Sequence, residues 1–522
     1  MEDSSKTTGK VFLIGAGPGD PGLLTLKAKE VLSEADVVIY DYLASKRLLD
    51  YAPDKAERVY VGKQGGCHAM EQGDINELII TKAKEGKTVA RLKGGDPFIF
   101  GRGGEEAEEL VAAGVLFEIV PGITSAIAVP AYAGIPLTHR KYTTSVAFIS
   151  GHEDPTKSES NIAWDKIATG IGTLVFFMGV KNLPHIVERL TSNGRSPDTP
   201  VAVIRWGTTA QQEKVIGTLA NIVDLVSQKG IKPPAITVVG EVVGLHEKLS
   251  WFESKPLFGR RIVVTRTREQ ASELVDRLEK LGAACEEFPT ICIIPPESWD
   301  PLDDAIRRLR EFDWIVFTSV NGAGNFLARL KVLGLDLRAL KDCKIAAIGP
   351  KTAEILENAY ILPDYIPSEY RAEGVIEGLE KAGVNGKRVL IPRAEKAREV
   401  LPQKLAEAGA HVELIAAYRT VKPEAKERDR LAGLFKNKEI DMITFTSSST
   451  VGNFVEIMGR ESISELLKGV SIACIGPITA ETARQYGIAI HVMPERFTIE
   501  EMVRSIERYY GAKADEKSDR LL

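Results

Sequence analysis

The sequence has little of what marks several large classes of protein. Only 5 of its 522 residues are cysteine, and none forms a C-x-x-C pair, so neither a disulfide framework nor a structural zinc site is indicated. Its 67 basic and 72 acidic residues nearly balance, which excludes a general positive field that would attract nucleic acid or an anionic membrane. The longest apolar runs, such as 173–180, are far shorter than the roughly 20 residues that span a bilayer. We therefore expect a globular protein with no nucleic-acid or membrane partner.

The N-terminus also lacks the marks of a secreted protein. Residues 1–10 are polar, without the apolar stretch and small-residue cleavage site of a signal peptide. Cys67-His68 is the one adjacent pair that suggests a metal, but two neighbouring ligands without a second pair favour an ordinary loop. We expect a cytoplasmic protein with reduced cysteines and no metal. The charged segment 512–522 and residues 1–10 are predicted to be disordered tails.

The length and the order of predicted elements indicate two α/β domains. A single hydrophobic core stops growing near roughly 250 to 300 residues, so 522 residues require at least two. Short β-branched runs alternate with amphipathic stretches in both halves, which is typical of α/β units with parallel sheets. The stretch 250–258 interrupts this alternation and is predicted to be the linker between domains at 11–249 and 259–511.

The second half contains an internal duplication with a spacing of about 127 residues. Phe317-Thr-Ser319 recurs as Phe445-Thr-Ser447, and Ile348-Gly-Pro-Lys-Thr352 recurs as Ile475-Gly-Pro-Ile-Thr479. The pattern predicts two similar α/β lobes, one from about 259–290 plus 423–511 and the other from about 297–415. Ligands bind at the carboxyl ends of strands in open sheets, so we expect the lobes to face each other across a cleft.

The first half begins with a strand, a glycine loop and a helix, which imitates a dinucleotide-binding unit. The strand Val11–Ile14 leads into Gly15-Ala-Gly-Pro-Gly-Asp-Pro21 and a helix at 23–33. A dinucleotide fingerprint needs a third glycine where Asp20 stands, and prolines remove backbone N–H donors that a phosphate would use. A nicotinamide-dependent oxidoreductase is therefore a disfavoured alternative.

Two further glycine clusters follow strand ends in the first half. Arg91-Leu-Lys-Gly-Gly-Asp96 continues to Gly104 with more glycine than one turn requires, and Pro121-Gly-Ile-Thr-Ser125 joins an apolar strand to a helix of small residues. Paired glycines after a strand allow close backbone approach to a ligand. The clusters predict several loops that converge on one concave site.

Three shorter motifs accompany these glycine clusters: Tyr40-Asp41, Gly62-Lys63 and Phe177-Met-Gly179. Together the motifs closely resemble the uroporphyrinogen-III C-methyltransferases, in order, across about Val11 to Leu249. The resemblance implies a tetrapyrrole-methylase fold of two α/β lobes and S-adenosylmethionine as the methyl donor. It also implies two successive methylations giving precorrin-2, and we expect a homodimer through this domain. The motifs that carry it are Gly15–Asp20, Tyr40-Asp41, Gly62-Lys63, Arg91–Phe98, Pro121–Ser125 and Phe177-Met-Gly179.

Carried over by position, the resemblance assigns roles to individual residues. Asp41, Lys63 and Arg91 are the candidate catalytic residues, with Asp41 and Lys63 at the family's proton-transfer positions, and His152 is a candidate contact to the macrocycle. Asp41 could instead be a helix N-cap, and His152 an ordinary loop residue. Trp206 departs from the family pattern, because it stands where a small polar residue is expected, next to the cofactor-contact position Gly207. The candidate cofactor-binding residues are Pro18, Gly94, Gly95, Asp96, Ile99, Thr124, Ser125, Met178 and Gly207.

The second half has hydroxyl groups at its duplicated strand ends, which favours anion binding at helix N-termini, although the same hydroxyls could serve only as helix caps. The pattern over about 259–511 resembles uroporphyrinogen-III synthase, which implies closure of hydroxymethylbilane to uroporphyrinogen III without cofactor or metal. Tyr418 matches the family tyrosine thought to assist hydroxyl departure. An alternative is a second half that only binds a polycarboxylate or holds subunits together. The candidate substrate-binding residues here are Thr318, Ser319, Thr352, Arg393, Ser447, Ser448 and Thr479.

Overall fold

The computed structural model describes residues 8–62, 70–152, 161–265, 268–368, 372–396 and 400–519. The chain forms two compact units. One contains the residues up to 262 together with 275–285 and those from 506 onward, and the other contains 263–274 and 286–505. Segments 275–285 and 506–511, which the sequence assigns to the second domain, thus group with the first unit. In the described parts of the chain, no helix combines the length and apolar composition that a membrane crossing requires.

The first sheet is fully parallel and carries three of the predicted site loops. Its strand order is β3-β2-β4-β1-β5, and its pairs are all parallel. Apolar residues fill both faces, with Ile14 and Leu92 on one face and Leu13 and Val89 on the other. Burial on both faces explains the nearly continuous apolar runs of these strands. The strands are β1 (Lys10–Gly15), β2 (Val37–Tyr40), β3 (Glu57–Tyr60), β4 (Val89–Lys93) and β5 (Leu116–Val120).

The second sheet is mixed, so the prediction of parallel sheets is wrong for this part of the chain. Its order is β6-β7-β10-β8-β9, and β10 runs antiparallel to both of its neighbours. β8 and β9 are joined by the short loop 206–212, and a connection this short can only return the chain antiparallel. The strands are β6 (Val146–Ser150), β7 (Thr173–Phe177), β8 (Pro200–Arg205), β9 (Glu213–Thr218) and β10 (Ala235–Val239).

The helices of the first unit pack on these sheets, and threonine side chains cap the helices that begin at Leu26 and Ser125. Thr25 accepts a hydrogen bond from the Ala28 N–H (3.2 Å) at the start of the first helix, so this helix begins later than the predicted residue 23. The helices are α1 (Leu26–Ser33), α2 (Gln72–Lys84), α3 (Gly103–Ala112), α4 (Ser125–Tyr132), α5 (Trp164–Gly170), α6 (Leu183–Ser192) and α7 (Ile222–Lys229).

The predicted linker 250–258 is a packed segment. Phe252 and Leu257 are buried, and the Trp251 indole N–H donates to the Ala131 carbonyl (3.0 Å). The Tyr132 ring lies against both Trp251 and Phe252, with centroids 4.9 and 4.7 Å apart. The segment lacks periodicity but is rich in aromatic residues, and burial of their large apolar area fixes it in place.

The remaining sheets carry the duplicated sequence. One has the order β12-β11-β18-β19, and the other has the order β13-β17-β16-β14-β15. The two copies place equivalent residues at equivalent points, because helices begin at Pro350 and Pro477 after the glycines of the repeated motif. The predicted internal duplication is therefore confirmed. The strands are β11 (Arg261–Val264), β12 (Ala284–Glu287), β13 (Cys292–Ile294), β14 (Trp314–Phe317), β15 (Lys344–Ala347), β16 (Arg388–Ala394), β17 (His411–Val421), β18 (Met442–Phe445) and β19 (Ser471–Cys474).

The C-terminal helix is longer than the sequence pattern indicates. It ends at Asp519 and so extends into the segment 512–522, for which the sequence predicts a disordered tail. Alanine, lysine and glutamate dominate this stretch, and their helix propensity continues a helix that lacks apolar periodicity. The helices are α8 (Arg268–Lys280), α9 (Asp300–Arg307), α10 (Val320–Val332), α11 (Pro350–Asn358), α12 (Ala372–Lys381), α13 (Val400–Glu407), α14 (Ala425–Lys436), α15 (Ser448–Met458), α16 (Ile463–Leu466), α17 (Pro477–Gln485) and α18 (Ile499–Asp519).

Candidate active sites

The three glycine loops of the first half meet at one point. Gly17 and Gly95 exchange two backbone hydrogen bonds, of 3.1 and 2.7 Å. Asp96 Oδ2 accepts a hydrogen bond from the Gly122 N–H (3.0 Å). A Cβ atom at Gly15 would lie 2.4 Å from the Gly122 Cα, and one at Gly122 would lie 2.3 Å from the Gly95 carbonyl oxygen. Only glycine permits this approach, which brings backbone groups of three strand ends into one concave surface.

A hydrogen-bond chain joins the first loop to the loop 206–212 of the second sheet. The Asp20 N–H donates to Thr208 Oγ1 (3.1 Å), and the Tyr132 hydroxyl donates to Asp20 Oδ2 (2.7 Å). Burial, followed by this bond to Asp20, raises the pKa of the Tyr132 hydroxyl well above its usual range. Asp20 Oδ1 also accepts from the Gly22 N–H (2.7 Å). The residue that breaks the dinucleotide fingerprint thus fixes the loop that carries Pro18.

The loop 206–212 is held tightly around Gly207. Trp206 and Thr208 both have positive φ, 49° and 70°, and a Cβ at Gly207 would lie 2.4 Å from Val129 Cγ1 on α4. The Trp206 ring lies against Tyr42, with centroids 6.0 Å apart. The unexpected tryptophan therefore packs on the loop that follows β2 and leaves the backbone of Gly207 close to α4.

Three exposed apolar residues lie on loops that follow strand ends of the first half. Ile99, Phe100 and Met178 are 36, 46 and 52 % exposed. The Phe100 ring contacts that of Phe177, with centroids 4.9 Å apart, which brings the second glycine loop to the end of β7 where Met178 lies. Met178 and Phe100 both adopt positive φ, 55° and 53°. Such conformations are costly for large residues and cluster at functional sites.

Asp41 and Arg91 come together at adjacent strand ends. Asp41 follows β2, and its Oδ2 lies 3.6 Å from an Arg91 guanidinium nitrogen. Asp41 Oδ1 accepts from the Leu43 N–H (3.1 Å), while the next helical turn, 46–51, takes Ser45 as its N-cap residue. The carboxylate thus forms a local turn and is not a helix cap. Lys63 lies outside the described residues.

Thr124 and Ser125 lie where predicted, at the start of α4. Thr124 is its N-cap residue and accepts from the Ala126 N–H (3.4 Å). His152 is exposed and follows β6. The loop that carries it is joined to β7, because the Gly151 N–H donates to the Phe177 carbonyl (2.7 Å). His152 therefore neighbours the strand end of Met178.

Sequence reasoning missed a buried ionic cluster beneath Arg91. Glu106 Oε1 accepts from Lys93 Nζ (2.6 Å) and from Arg91 Nε (3.4 Å). The exposed fractions of these three residues are 1 to 4 %. Burial, and then the neighbouring Arg91, lowers the pKa of the Lys93 ammonium. The signal in the sequence was a charged residue on the apolar face of α3, beside Ala107 and Leu110.

In the second half, Tyr418 contacts a duplicated cap residue. Tyr418 is 8 % exposed, and its hydroxyl lies 3.1 Å from Ser319 Oγ, within hydrogen-bond distance. Ser319 is the N-cap residue of α10 and accepts from the Gly322 N–H (3.0 Å). A Cβ at Gly322 would lie 2.7 Å from the Pro392 carbonyl oxygen. This contact brings the α10 N-terminus to the strand position before the buried Arg393.

The second copy has a comparable arrangement with different partners. Ser447 is the N-cap residue of α15, in a capping box with Thr450. Ser448 Oγ donates to the Ile478 carbonyl (3.3 Å), which joins the N-termini of α15 and α17. Thr479 and its counterpart Thr352 are buried in the first turns of their helices. Ser319 and Ser447 therefore cap helices, which is the alternative to anion binding that the sequence left open. Thr318 lies half-buried just before Ser319.

These geometries define two classes of domain: an α/β domain with a glycine-lined concave surface at its strand ends, followed by a duplicated α/β domain with paired helix N-termini. Two family models match in this order. The tetrapyrrole (corrin/porphyrin) methylases match residues 10–223, and uroporphyrinogen-III synthase HemD matches residues 272–504. The chain belongs to the family of fused tetrapyrrole-biosynthesis enzymes that join a uroporphyrinogen-III C-methyltransferase to a uroporphyrinogen-III synthase.

Similar proteins include one that matches nearly the whole chain and others that match its first half. The porphyrin biosynthesis protein HemD of Ruminiclostridium josui is 38% identical over 496 residues, covering 95% of this chain and 97% of its own. The S-adenosyl-L-methionine-dependent uroporphyrinogen III methyltransferase of Methanosarcina barkeri is 59% identical over 241 residues, 46% of this chain and 94% of its own. The solved uroporphyrin-III C-methyl transferase of Thermus thermophilus, complexed with S-adenyl homocysteine, is 40% identical. It covers 45% of this chain and 99% of its own, with a TM-score of 0.39.

Proposed function

We propose that the second half closes hydroxymethylbilane to uroporphyrinogen III and that the first half methylates this product twice, giving precorrin-2, with S-adenosylmethionine as donor. The observation that carries the proposal is the meeting of the loops at Gly15, Gly95 and Gly122. A glycine-lined concave surface suits a donor that must be approached closely by backbone groups. The donor supplies a sulfonium methyl group, which needs only in-line positioning against a carbon nucleophile.

The residues present fit this donor. Asp96 binds backbone N–H groups of Phe98 (2.8 Å) and Gly122 (3.0 Å), so it holds two loops in register. Pro18, Gly94, Thr124, Ser125 and Gly207 lie on the loops that meet there, and exposed Ile99 and Met178 add apolar surface at the edge. The donor combines the flat face of its adenine ring with polar ribose, amino and carboxylate groups, which matches this combination of apolar and polar surface.

Asp41 is the proposed proton acceptor of the methylation step. After methylation the macrocycle must lose a proton to a nearby base, and the Asp41 carboxylate lies at the strand end next to the glycine loops. Arg91 holds one of its oxygens, and the Leu43 N–H holds the other. His152 and Lys63 are proposed to assist, as a contact to substrate carboxylates and as a proton donor. An Asp41→Asn variant should lose most of its kcat and retain donor binding in calorimetry.

Tyr418 is the proposed catalytic residue of ring closure. Its hydroxyl can donate a proton to the departing hydroxyl of the linear substrate, while Ser319 keeps it oriented (3.1 Å). The duplicated helix N-termini, with Thr318, Ser319, Thr352, Ser447, Ser448 and Thr479, and buried Arg393 are proposed to hold its carboxylates. Tyr418→Phe should slow ring closure more than Thr352→Ala, and near-wild-type rates for both would remove Tyr418 from the mechanism.

One experiment tests both proposed reactions together. The whole protein is given hydroxymethylbilane and S-adenosylmethionine, and the products are identified by mass and isomer. A dimethylated type III product supports the proposal. If only the spontaneous type I isomer forms, the second half is not a synthase and serves as a binding or oligomerisation module.

The chain is further proposed to act in the cytoplasm as a homodimer through its methyltransferase domain. β5 is an edge strand of the first sheet, and Leu116 on it and Val111 on α3 are 69 and 66 % exposed. Large exposed apolar side chains near a sheet edge favour subunit contact. Light scattering compares the mass of a Leu116→Lys variant with that of the wild-type protein. Loss of a dimer in the variant supports a dimer contact at this surface, and an unchanged mass excludes that contact.

A further inference from the structure

A line of four alternating charges runs from the site of the first half into its core. Asp41 at the surface contacts Arg91, Arg91 contacts Glu106, and Glu106 contacts Lys93. The exposed fraction of the side chain falls along this line, from 27 % for Asp41 to 4 % for Arg91 and 1 % for Glu106. Arg91 and Lys93 lie on the same face of β4, because residues two apart in a strand point to the same side.

A single carboxylate oxygen of Glu106 accepts the hydrogen bonds of the inner part of this cluster. Glu106 Oε1 accepts from Lys93 Nζ (2.6 Å), from Gln72 Nε2 (3.1 Å) and from Arg91 Nε (3.4 Å). Arg91 meets Glu106 through Nε and Asp41 through a terminal nitrogen of the same planar group. The guanidinium is thus held between the two carboxylates.

A cluster that served stability alone would be a poor solution. Two cations and a carboxylate removed from water carry a desolvation cost of several kcal/mol per ion by order of magnitude, and apolar residues of the same size often stabilise a core as well or better. Here Lys93 directly precedes Gly94, and Arg91 ends beside Asp41, so the cost falls next to the proposed site. Buried charges that adjoin a cleft are a mark of functional sites.

We propose that Glu106 is a positioning residue of the methyltransferase, which orients Arg91 against Asp41. This inference rests on the proposed role of Asp41. Glu106 acts in two ways: it binds the Nε side of Arg91, and it neutralises Lys93. Without its negative charge, the ammonium of Lys93 would oppose the guanidinium at low dielectric and displace it from Asp41. The expected consequence is a misplaced base, which lowers kcat more than it weakens donor binding.

The test uses Glu106→Gln and Glu106→Asp in the full-length chain, with Glu105→Gln as the matched control. Glu105 is the preceding residue on α3, is exposed and pairs with Arg102. Glu106→Gln should reduce methylation kcat about 10- to 100-fold, while the Kd for S-adenosylmethionine changes less than about 3-fold. Glu106→Asp retains the charge and should recover part of the loss, whereas Glu105→Gln should match the unchanged chain.

The kinetics of these variants decide the inference. A kcat of Glu106→Gln within about 2-fold of the unchanged chain overturns it, and so does an equal loss in kcat and donor affinity, because both exclude a positioning role. If Glu106→Gln does not fold, Gln72→Ala replaces it: a loss of kcat at unchanged donor affinity supports the inference, and unchanged kcat overturns it.

Asp41→Asn is measured in parallel. If Asp41→Asn keeps its kcat, the proposed role of Asp41 fails; if only Asp41→Asn is impaired, the inference about Glu106 fails alone.

Discussion

Replacing Tyr360 by glycine should stabilise the C-terminal end of α11. Tyr360 adopts φ 60°, in the left-handed region, and it is 92 % exposed, so its ring has almost no packing to lose. The Tyr360 N–H donates to the Glu357 carbonyl (2.8 Å), and the Ile361 N–H donates to the Leu356 carbonyl (2.9 Å). This pattern of bonds is a Schellman motif, whose left-handed residue is usually glycine.

The duplication supplies the matched position. About 127 residues later, Gly487 ends α17 at φ 74° with the same pair of bonds, from the Gly487 N–H to Arg484 and from the Ile488 N–H to Ala483. The left-handed conformation costs an L-residue about 1–2 kcal/mol. Glycine relieves this strain, but its unfolded chain has greater entropy, which offsets about 0.5–1 kcal/mol of the gain. Tyr360→Gly should therefore stabilise the local fold by about 0.5–1 kcal/mol.

Hydrogen exchange of the Ile361 amide measures this change in the full-length protein. Exchange should slow by about 2- to 5-fold in Tyr360→Gly, because the opening free energy rises by the same amount. Gly487→Ala is the reverse control: a Cβ there meets no atom within 4 Å, so exchange of the Ile488 amide should quicken through backbone strain alone. Faster exchange in Tyr360→Gly would refute the reasoning and show that the tyrosine ring stabilises the turn.

Two further predictions concern loop packing and pH. Gly122→Ala should abolish S-adenosylmethionine binding in calorimetry, because its Cβ would lie 2.3 Å from the Gly95 carbonyl, whereas Gly104→Ala, with open space around it, should bind normally. Arg329 donates two hydrogen bonds to the Asp303 carboxylate and so lowers the pKa of that carboxyl. The ion pair therefore stabilises the folded protein above about pH 4, and this stabilisation is lost as the pH falls through the lowered pKa. Thermal unfolding should show Asp303→Asn destabilised by about 1.5–3 kcal/mol at neutral pH, with the difference from the unchanged chain shrinking in acid.

The sequence predicted what depends on local pattern. The strand predicted at Val11–Ile14 lies within β1 (Lys10–Gly15), and the glycine clusters meet as their density implies. Glycine density is a local signal of a long-range contact, because only close approach explains so many residues without a Cβ. The same reasoning could place the three loops together but could not assign distances within them.

The sequence could not predict contacts made by side chains far apart in the chain. Tyr132 reaches Asp20 from a helix that reads only as a run of small residues. Trp251 and its neighbours read as a linker, because no periodicity marks an irregular segment that packs by its aromatic rings. The antiparallel β10 likewise follows from tertiary pairing, which a run of β-branched residues does not encode.

The two copies in the second half share their helix caps but differ in the partner of the capping serine. In both copies a serine caps the helix after the central strand, but the partners of the two hydroxyls differ. Ser447 Oγ lies 3.0 Å from Ser449 on its own helix, whereas Ser319 Oγ lies 3.1 Å from Tyr418 on a neighbouring strand. A feature present in both copies fits a task that both perform, such as binding carboxylates at helix N-termini. The tyrosine contact occurs at one of the two caps, so the proposed proton transfer belongs to the lobe of β13–β17.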